Sequence, residues 1–276
     1  IIYIKKAAVN VILTAVFCLL VVVLVRPLLA ELSFNSAEKL VKGYKWAPAA
    51  EKFQEAIRFD PFNARYFSGL GNFFMLEAKY RDNKTPALMA AKRCYERALA
   101  LNPRDAESCL QLGLIALRDK SIDAAFAYFR KAVQNDPNGF NIAYPIGFTG
   151  VGFWKHLDAE DREFVVNRLR FSLIAMPWYA NRIYDKAWKS AGDFKILQKI
   201  APDTLNAQRD LYGFLAANNL WQFRREQAAK IDSYKSDAAA NDRGEIARKV
   251  KDAILNAEKL AEANVWRQID GKWQMI

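Results

Sequence analysis

The spacing of small, aromatic and proline positions repeats three times in the first half of the chain. Each copy reads A-x-x-x-[FY]-x-x-A-x-x-x-x-P and ends at Pro61, Pro103 or Pro137. Alanines four residues before and three residues after an aromatic residue share its face of a helix, and proline is typical of a helix end. The pattern therefore predicts three helices that neighbouring helices approach closely. Their marker residues are Ala49, Phe53 and Ala56, then Ala91, Tyr95 and Ala98, then Ala125, Phe129 and Ala132.

A further helical segment precedes each of these helices, so the chain is predicted to form helical hairpins. Small residues occupy the same place in each preceding segment, at Ala37, Gly71 and Gly113, where two helices can pack closely. These positions together resemble the tetratricopeptide repeat, a helix-turn-helix unit of 34 residues. The resemblance implies an all-α, tetratricopeptide-like α-solenoid of stacked hairpins, which is a class of protein-binding scaffold.

The three regular units are predicted at 30–63, 64–105 and 106–139. The second unit is about eight residues longer than the 34-residue repeat. The extra residues fall near Lys79–Pro86, between its two helices. This stretch is polar and contains a proline, so we expect it to form a lengthened turn.

The region 140–235 is predicted to form divergent helical hairpins, because the repeat weakens while helix-end prolines recur at Pro177 and Pro202. Asp158 is a plausible N-cap, and the acidic residues that follow it suit a helix N-terminus. Residues 145–154 contain Gly147, Gly150 and Gly152 and predict a helix disrupted by glycines. The predicted helix pairs are 141–153 with 159–176, 179–190 with 192–201, and 203–218 with 220–235.

The N-terminal region 1–29 carries the apolar run Ala7–Val25, whose 19 residues are interrupted only by Asn10 and Thr14. This length is enough to cross the lipid bilayer, so we predict a single transmembrane anchor. A cleaved signal peptide and a buried core helix are the alternatives. Flanking lysines and arginines lie on both sides and leave the orientation undetermined.

The formal net charge of +11 is spread along the chain. A nucleic-acid-binding protein needs basic residues clustered on one face, so no nucleic-acid partner is predicted. Arg224-Arg225 is the one pair retained as a possible anion contact. Cys94 and Cys109 lie on neighbouring predicted helices, where either a disulfide or two core thiols would fit.

We predict no catalytic residue, no cofactor and no metal site, and hence a protein that is not an enzyme. His156 is the single histidine, and it has no partner at metal-ligand spacing. The glycines of 147–152 are in the wrong order for a dinucleotide-binding fingerprint. No nucleophile is placed beside a base.

The tetratricopeptide resemblance implies a partner-binding groove lined by the first helix of each unit. Three leucines of the third unit suggest an apolar partner, such as an amphipathic helix or peptide; alternatively, they pack against the later hairpins. The carboxylate clamp of chaperone-binding members is not matched, because Phe34 and Glu38 stand at two of its positions. The predicted groove residues are Phe34, Arg65, Ser68, Asn72, Met75, Leu110, Leu114 and Leu117.

The C-terminal region 236–276 is predicted to hold a linker, an amphipathic helix at 245–264 and a β-hairpin around Asp270-Gly271. A membrane helix followed directly by repeats, with phrases such as KFQEAIRFDPFNARYFSGLGN, resembles the C-terminal tail of bacterial O-antigen ligase or polymerase family proteins. In that family the repeats lie outside the cytoplasm, and none of its catalytic loops is present here. The start at Ile1 is compatible with a fragment.

Two functions follow from these observations. The first is a membrane-anchored scaffold that binds protein partners at a bacterial envelope, in the inner membrane and with extracytoplasmic repeats. The alternative is the accessory repeat region of a polytopic glycan ligase or polymerase.

Overall fold

The computed structural model describes residues 24–240, the strands 266–269 and 272–275, and the single positions Thr14 and Ile254. Residues 24–240 form twelve α-helices and two short 3-10 helices. The predicted all-α class of consecutive helical hairpins is therefore confirmed for this range. The chain divides into two compact units, Ile1–Arg168 and Leu169–Ile276.

The helices of the first unit, in chain order, are α1 (24–42), α2 (Trp46–Phe59), α3 (Ala64–Tyr80), α4 (Thr85–Leu101), α5 (Ala106–Arg118), α6 (Ile122–Asn135), α7 (Phe140–Gly150) and the 3-10 helix Val151–His156. Helix α8 (Ala159–Ala175) contains the boundary between the units. The second unit continues with the 3-10 helix Pro177–Tyr179, α9 (Ala180–Ala191), α10 (Phe194–Ile200), α11 (Leu205–Ala217) and α12 (Trp221–Ala240).

The marker residues of the repeat form the interior of the hairpins. All nine are at most 2% exposed. A Cβ added at Gly71 would lie 2.7 Å from the Tyr95 ring, and one added at Gly113 would lie 2.4 Å from the Phe129 ring. In the second and third hairpins, the glycine of the first helix is therefore the surface on which the aromatic ring of the second helix packs.

The second helices of the three hairpins end in the same way. α2, α4 and α6 each stop two residues before a proline. The residue between helix and proline has an extended φ of −138°, −132° or −140°, and its N–H donates to the carbonyl of the last marker alanine. This agrees with the steric exclusion of the helical conformation before proline.

The extra residues of the second repeat, 64–105, lengthen its two helices. The prediction of a long turn between them is therefore wrong. α3 has 17 residues against 13 in α5, and α4 has 17 against 14 in α6. Only residues 81–84 lie between α3 and α4. The added turn of α3 is stabilised by Tyr80, whose ring lies 5.4 Å from that of Trp46.

The α-helix is interrupted within 145–154, as the glycines predict. α7 runs through Pro145 and Gly147 to Gly150 and then tightens into the 3-10 helix. A Cβ at Gly150 would lie 2.7 Å from Val165, so this glycine permits close packing of α7 on α8. Asp158 caps α8 as predicted, because its carboxylate accepts from the N–H of Asp161 at 2.7 Å.

The predicted anchor 7–25 lies outside the described residues, except for Thr14, Leu24 and Val25. Among the residues that are described, no helix combines the length and apolar character needed to cross a membrane. The predicted helix 245–264 also lies outside the described residues, apart from Ile254.

The linker predicted from residue 236 is wrong at its start, since α12 continues to Ala240. Beyond it, the strands β1 (Trp266–Ile269) and β2 (Lys272–Met275) pair antiparallel, with Trp266 opposite Met275 and Ile269 opposite Lys272.

Candidate partner-binding site

The predicted groove residue Phe34 belongs to the hydrophobic core of the first hairpins. It is 3% exposed, and its ring lies 5.5 Å from Phe53 and 5.2 Å from Tyr66. The Arg65 guanidinium covers it at 4.7 Å and donates to both carboxylate oxygens of Glu31, at 3.0 and 3.1 Å. The structure brings Phe34 and Arg65 together, but the prediction that Phe34 is available to a partner is wrong.

Leu110 and Leu117 are likewise buried, each 2% exposed. They lie on α5, which contacts both α6 and α7. The prediction that Leu110 and Leu117 line an open groove is therefore wrong. The contact of α5 with α7 agrees with the alternative that they pack against the later hairpins. Leu114, on the same helix, remains half-buried at the surface.

The remaining predicted groove residues lie on α3 and keep some exposure. The Ser68 hydroxyl donates to the Arg65 carbonyl at 3.1 Å. Exposed Asn72 accepts from the Tyr95 hydroxyl at 2.6 Å. Met75 packs on the cluster formed by Ala91, Tyr95, Leu112 and Ile115. Ser68, Asn72, Met75 and Leu114 thus remain as candidate contact residues.

Helix α7 adds two candidates that the prediction missed. Its first residue, Phe140, lies one 34-residue repeat after Ala106, so Tyr144 and Phe148 fall at groove positions of a fourth unit. The rings of Phe140, Tyr144 and Phe148 stack in a row, with centroids 5.5 and 5.3 Å apart. Tyr144 and Phe148 are half-exposed. Counting the repeat period past residue 139 would have found them.

We define the first-helix surface as Ser68, Asn72, Met75, Leu114, Tyr144 and Phe148. It combines apolar and aromatic side chains with two small polar ones. Such a surface suits an apolar or amphipathic segment of a partner.

The second compact unit, Leu169–Ile276, contains an open cavity of about 710 Å³ between α9 and α11. We call it the α9–α11 cavity. These two helices contact each other and are the first helices of consecutive hairpins. A smaller cavity of about 260 Å³ shares Pro177, Ala180 and Asp210 with it. The α9–α11 cavity is lined by Pro177, Trp178, Ala180, Asn181, Asp185, Arg209, Asp210, Gly213, Phe214, Ala217 and Asn218.

Gly213 lines the α9–α11 cavity and is exposed. It lies in the interior of α11, where glycine is less favourable than alanine by up to about 1 kcal/mol. A Cβ added at Gly213 would meet nothing within 4 Å. Gly71 and Gly113 are explained by close packing on a ring, whereas Gly213 makes no such contact. Its effect is to leave a gap in the helix surface, bordered by Ala217.

The rim of the cavity carries an aromatic ring and charged groups. Trp178 is 76% exposed. Asp185 pairs with Lys189 at 2.8 Å. Partial burial raises the pKa of Asp210, while the charge of neighbouring Arg209 lowers it. The lining thus mixes apolar residues with polar and charged ones such as Asn181, Arg209 and Asn218.

The histidine, the two cysteines and the arginine singled out in the sequence belong neither to the first-helix surface nor to the lining of the α9–α11 cavity. His156 is exposed at the end of its 3-10 helix. Cys94 and Cys109 are free thiols, and burial raises the pKa of both. Arg224 donates to the Tyr212 hydroxyl at 2.6 Å and lies 4.3 Å from the Trp221 ring centroid. Arg224 thus packs within α11 and α12, and the suggested anion contact at Arg224-Arg225 stays a prediction.

Comparison with known proteins gives one family match. Residues 88–140 match the family model described as tetratricopeptide repeat. No curated protein matches the chain in sequence.

Several solved structures are similar. The Pseudomonas aeruginosa protein PilF is 15% identical with a TM-score of 0.49, over 83% of this chain and 98% of PilF. YrrB, a tetratricopeptide protein with an unusual peptide-binding site, is 18% identical with a TM-score of 0.42, over 64% of this chain and 89% of YrrB. The Arabidopsis OM64 tetratricopeptide domain is 18% identical with a TM-score of 0.38, over 44% of this chain and 93% of that domain.

The family match includes most of α4 and all of α5 and α6, which carry two of the three sets of marker residues. The match lies where the marker alanines and aromatic rings are buried as the repeat requires. Residues 88–140 are therefore similar to the tetratricopeptide repeat in both sequence and packing.

Proposed function

We propose that this protein is a non-enzymatic, membrane-anchored scaffold that binds a segment of a partner protein in the α9–α11 cavity. The observation that carries the proposal is the open space beside Gly213, in a helix interior where the fold itself has no need of glycine. Ala180, Gly213 and Ala217 present little bulk, so a partner helix or peptide can approach closely.

Two features of the cavity suit a peptide. Its volume of about 710 Å³ accommodates several side chains, and it is open to solvent. The exposed indole of Trp178 offers a large apolar contact at the rim. The first-helix surface of the other unit is a second place for the same kind of partner.

The anchor is the apolar run 7–25, which supports a location in the inner membrane. We place the repeats on the extracytoplasmic side. Membrane fractionation tests the anchor: the full chain should stay in the pellet until detergent is added, and release by salt or carbonate alone would contradict it. The alternative, an accessory region of a glycan ligase or polymerase, stays a prediction that the reading frame upstream of Ile1 decides.

Filling the cavity tests the binding site. Gly213→Leu places a side chain in the open space while nothing within 4 Å opposes it, so the fold should persist. Ala229→Leu is the matched control, since Ala229 is an exposed small residue on α12 outside the cavity lining. Tagged full-length chains would be used to capture partners from native membranes.

We expect Gly213→Leu to lose a specific captured protein that both the unchanged chain and Ala229→Leu retain. Circular dichroism should show equal helix content in all three proteins. Equal capture by Gly213→Leu would mean that the α9–α11 cavity is not the partner site.

A further inference from the structure

One face of α1 is apolar and unpacked. Leu24, Leu28 and Leu32 follow one another at four-residue intervals and are 70%, 60% and 55% exposed. Val25 and Leu29 flank them and are 42% and 37% exposed. We call these five residues the leucine stripe. Since i and i+4 positions share a helix face, they form one continuous apolar surface.

The leucine stripe is not needed for packing of the repeat. The opposite face of α1 carries Ala30, Phe34 and Ala37, which are at most 3% exposed and belong to the core of the first hairpin. The first helix of a solenoid normally turns a polar face outward, because no preceding hairpin covers it. A row of leucines there requires another apolar surface to cover it.

The sequence next to the stripe indicates what covers it. The apolar run 7–25 leads directly into it and includes its first two residues, Leu24 and Val25. Arg26 lies within the stripe, and its guanidinium donates to the Arg58 carbonyl at 3.1 Å, at the end of α2. Leu24 to Leu32 extends for about 12 Å along the helix, so a stripe that starts in the acyl chains reaches through the interfacial layer of about 5–8 Å.

After Leu32, the stripe's face of α1 carries polar and basic residues. Ser36 continues the row of Leu28 and Leu32 and is exposed. Lys39, Lys42 and Lys45 follow, all exposed, and outnumber the acidic Glu38. Apolar residues followed by lysines match the order in which an interfacial helix meets acyl chains and then anionic head groups.

We propose that the leucine stripe is inserted into the interfacial layer of a lipid bilayer, with the lysines of 39–45 on anionic head groups. This rests on the proposed membrane anchor. It adds a second lipid contact, which fixes the direction of α1 and holds the first hairpin against the membrane surface.

The test uses the full chain with its three native cysteines replaced by alanine. Single cysteines introduced as Leu28→Cys and Leu32→Cys carry an environment-sensitive fluorophore, with Ser36→Cys and Lys92→Cys as exposed controls on α1 and α4. The chains are reconstituted into vesicles of phosphatidylcholine with about one quarter phosphatidylglycerol. Some vesicles also contain lipid with a nitroxide near the head group.

We expect quenching at positions 28 and 32 to be at least about threefold stronger than at position 92, with position 36 between them. Flotation on a density gradient tests the membrane anchor separately from the insertion of the leucine stripe. A chain that does not float with vesicles contradicts both the anchor and this inference. A chain that floats but shows equal quenching at 28, 32 and 92 overturns the inference alone.

A second copy of the chain is the competing occupant of the stripe. If two copies met there, fluorophores at position 28 would quench each other and recover when unlabelled chain is added in excess. That recovery without nitroxide quenching would replace the lipid contact by a dimer interface.

Discussion

Glycines in this chain have two different physical roles, which substitution by alanine separates. Gly113→Ala brings a Cβ to 2.4 Å from the Phe129 ring and 3.1 Å from the Ala125 carbonyl oxygen. Overpacking of this kind costs about 1–3 kcal/mol. Gly213→Ala meets open space and should stabilise the protein by about 0.5–1 kcal/mol, through helix propensity and a less flexible unfolded chain.

Urea denaturation of the detergent-solubilised full chain, followed by circular dichroism, measures both changes. The midpoint should fall for Gly113→Ala and rise for Gly213→Ala. A loss of stability in Gly213→Ala would show that Gly213 is needed by the fold and would remove the main support for the α9–α11 cavity as a binding site.

Cys94 gives a pH-dependent prediction. The thiol is half-buried against the core of the first hairpins, and burial raises its pKa to about 11. Alkylation proceeds through the thiolate. Its rate should therefore increase about tenfold per pH unit and continue to rise above pH 9, beyond the ordinary thiol range.

Mass spectrometry of the Cys94 peptide after timed iodoacetamide treatment measures this rate. The raised pKa of Cys94 also makes the free energy of unfolding depend on pH. Because the folded pKa is raised, the folded state is favoured while the thiol is protonated, and this contribution is lost as the pH rises from about 9 to about 11. A rate that levels off near pH 9 would contradict the burial of Cys94.

The sequence predicts the residues of the interior well and those of the surface poorly. Ala, aromatic and Gly markers are recognisable because close helix packing admits few side chains. The predicted groove positions failed at Phe34, Leu110 and Leu117 because repeat position defines only a helix face. Whether that face is covered depends on the neighbouring side chains, such as Arg65 over Phe34.

At the scale of elements, one arginine joins α6 to α8. Arg130 donates to Asp161 at 2.6 Å and to Glu160 at 2.9 Å, and lies 5.6 Å from the Phe164 ring centroid. Asp161 is 6% exposed, while the Glu160 side chain is 79% exposed. The Asp161 pair should therefore contribute to stability, and the Glu160 pair should contribute little.

Arg130→Met should cost about 1–2 kcal/mol, because it leaves a buried carboxylate without its cation, while partial exposure of Arg130 limits the loss. Glu160→Gln, the control, should cost less than about 0.5 kcal/mol. Burial already raises the pKa of Asp161, so the Arg130→Met penalty should shrink as the pH falls and Asp161 is protonated. Urea midpoints at pH 7 and at mildly acidic pH test this, and a penalty independent of pH would contradict it.

Helix ends marked by proline could be predicted from the sequence. The conformation of the inserted residues in the second repeat, 64–105, could not. Polar residues 79–84 resemble a turn, yet Lys79 and Tyr80 continue α3 as well as they would form a loop. Tyr80 gains a contact with Trp46 only when the helix is extended. Local propensity allowed either a helix or a turn at these residues, and tertiary packing selected the helix.

At the scale of the whole molecule, hairpin architecture was predictable and the location of binding surfaces was not. The α9–α11 cavity depends on how α9 and α11 pack against each other, in the half where the marker pattern fades. The Gly213 gap is visible in the sequence only as a glycine between Tyr212 and Phe214. Only the structure shows that the space around its Cβ position is open.

The first-helix surface and the α9–α11 cavity can be distinguished by partner capture. Leu114→Asp alters a half-exposed residue, so the hairpins should remain folded, while an apolar partner bound at α5 would be lost. Leu110→Asp, one helical turn away, buries a charge at a position 2% exposed and should destabilise the first unit by more than about 4 kcal/mol. Loss of capture in Leu110→Asp alone would therefore reflect unfolding.

The informative comparison is Leu114→Asp with Gly213→Leu, each tested for helix content and for capture from native membranes. Loss of the same partner in both would mean that one partner contacts surfaces in both units. Loss in Gly213→Leu alone assigns binding to the α9–α11 cavity and contradicts the first-helix surface. If Leu114→Asp alone loses the partner, the groove predicted from the regular repeats is the binding site, and the proposal for the cavity is wrong.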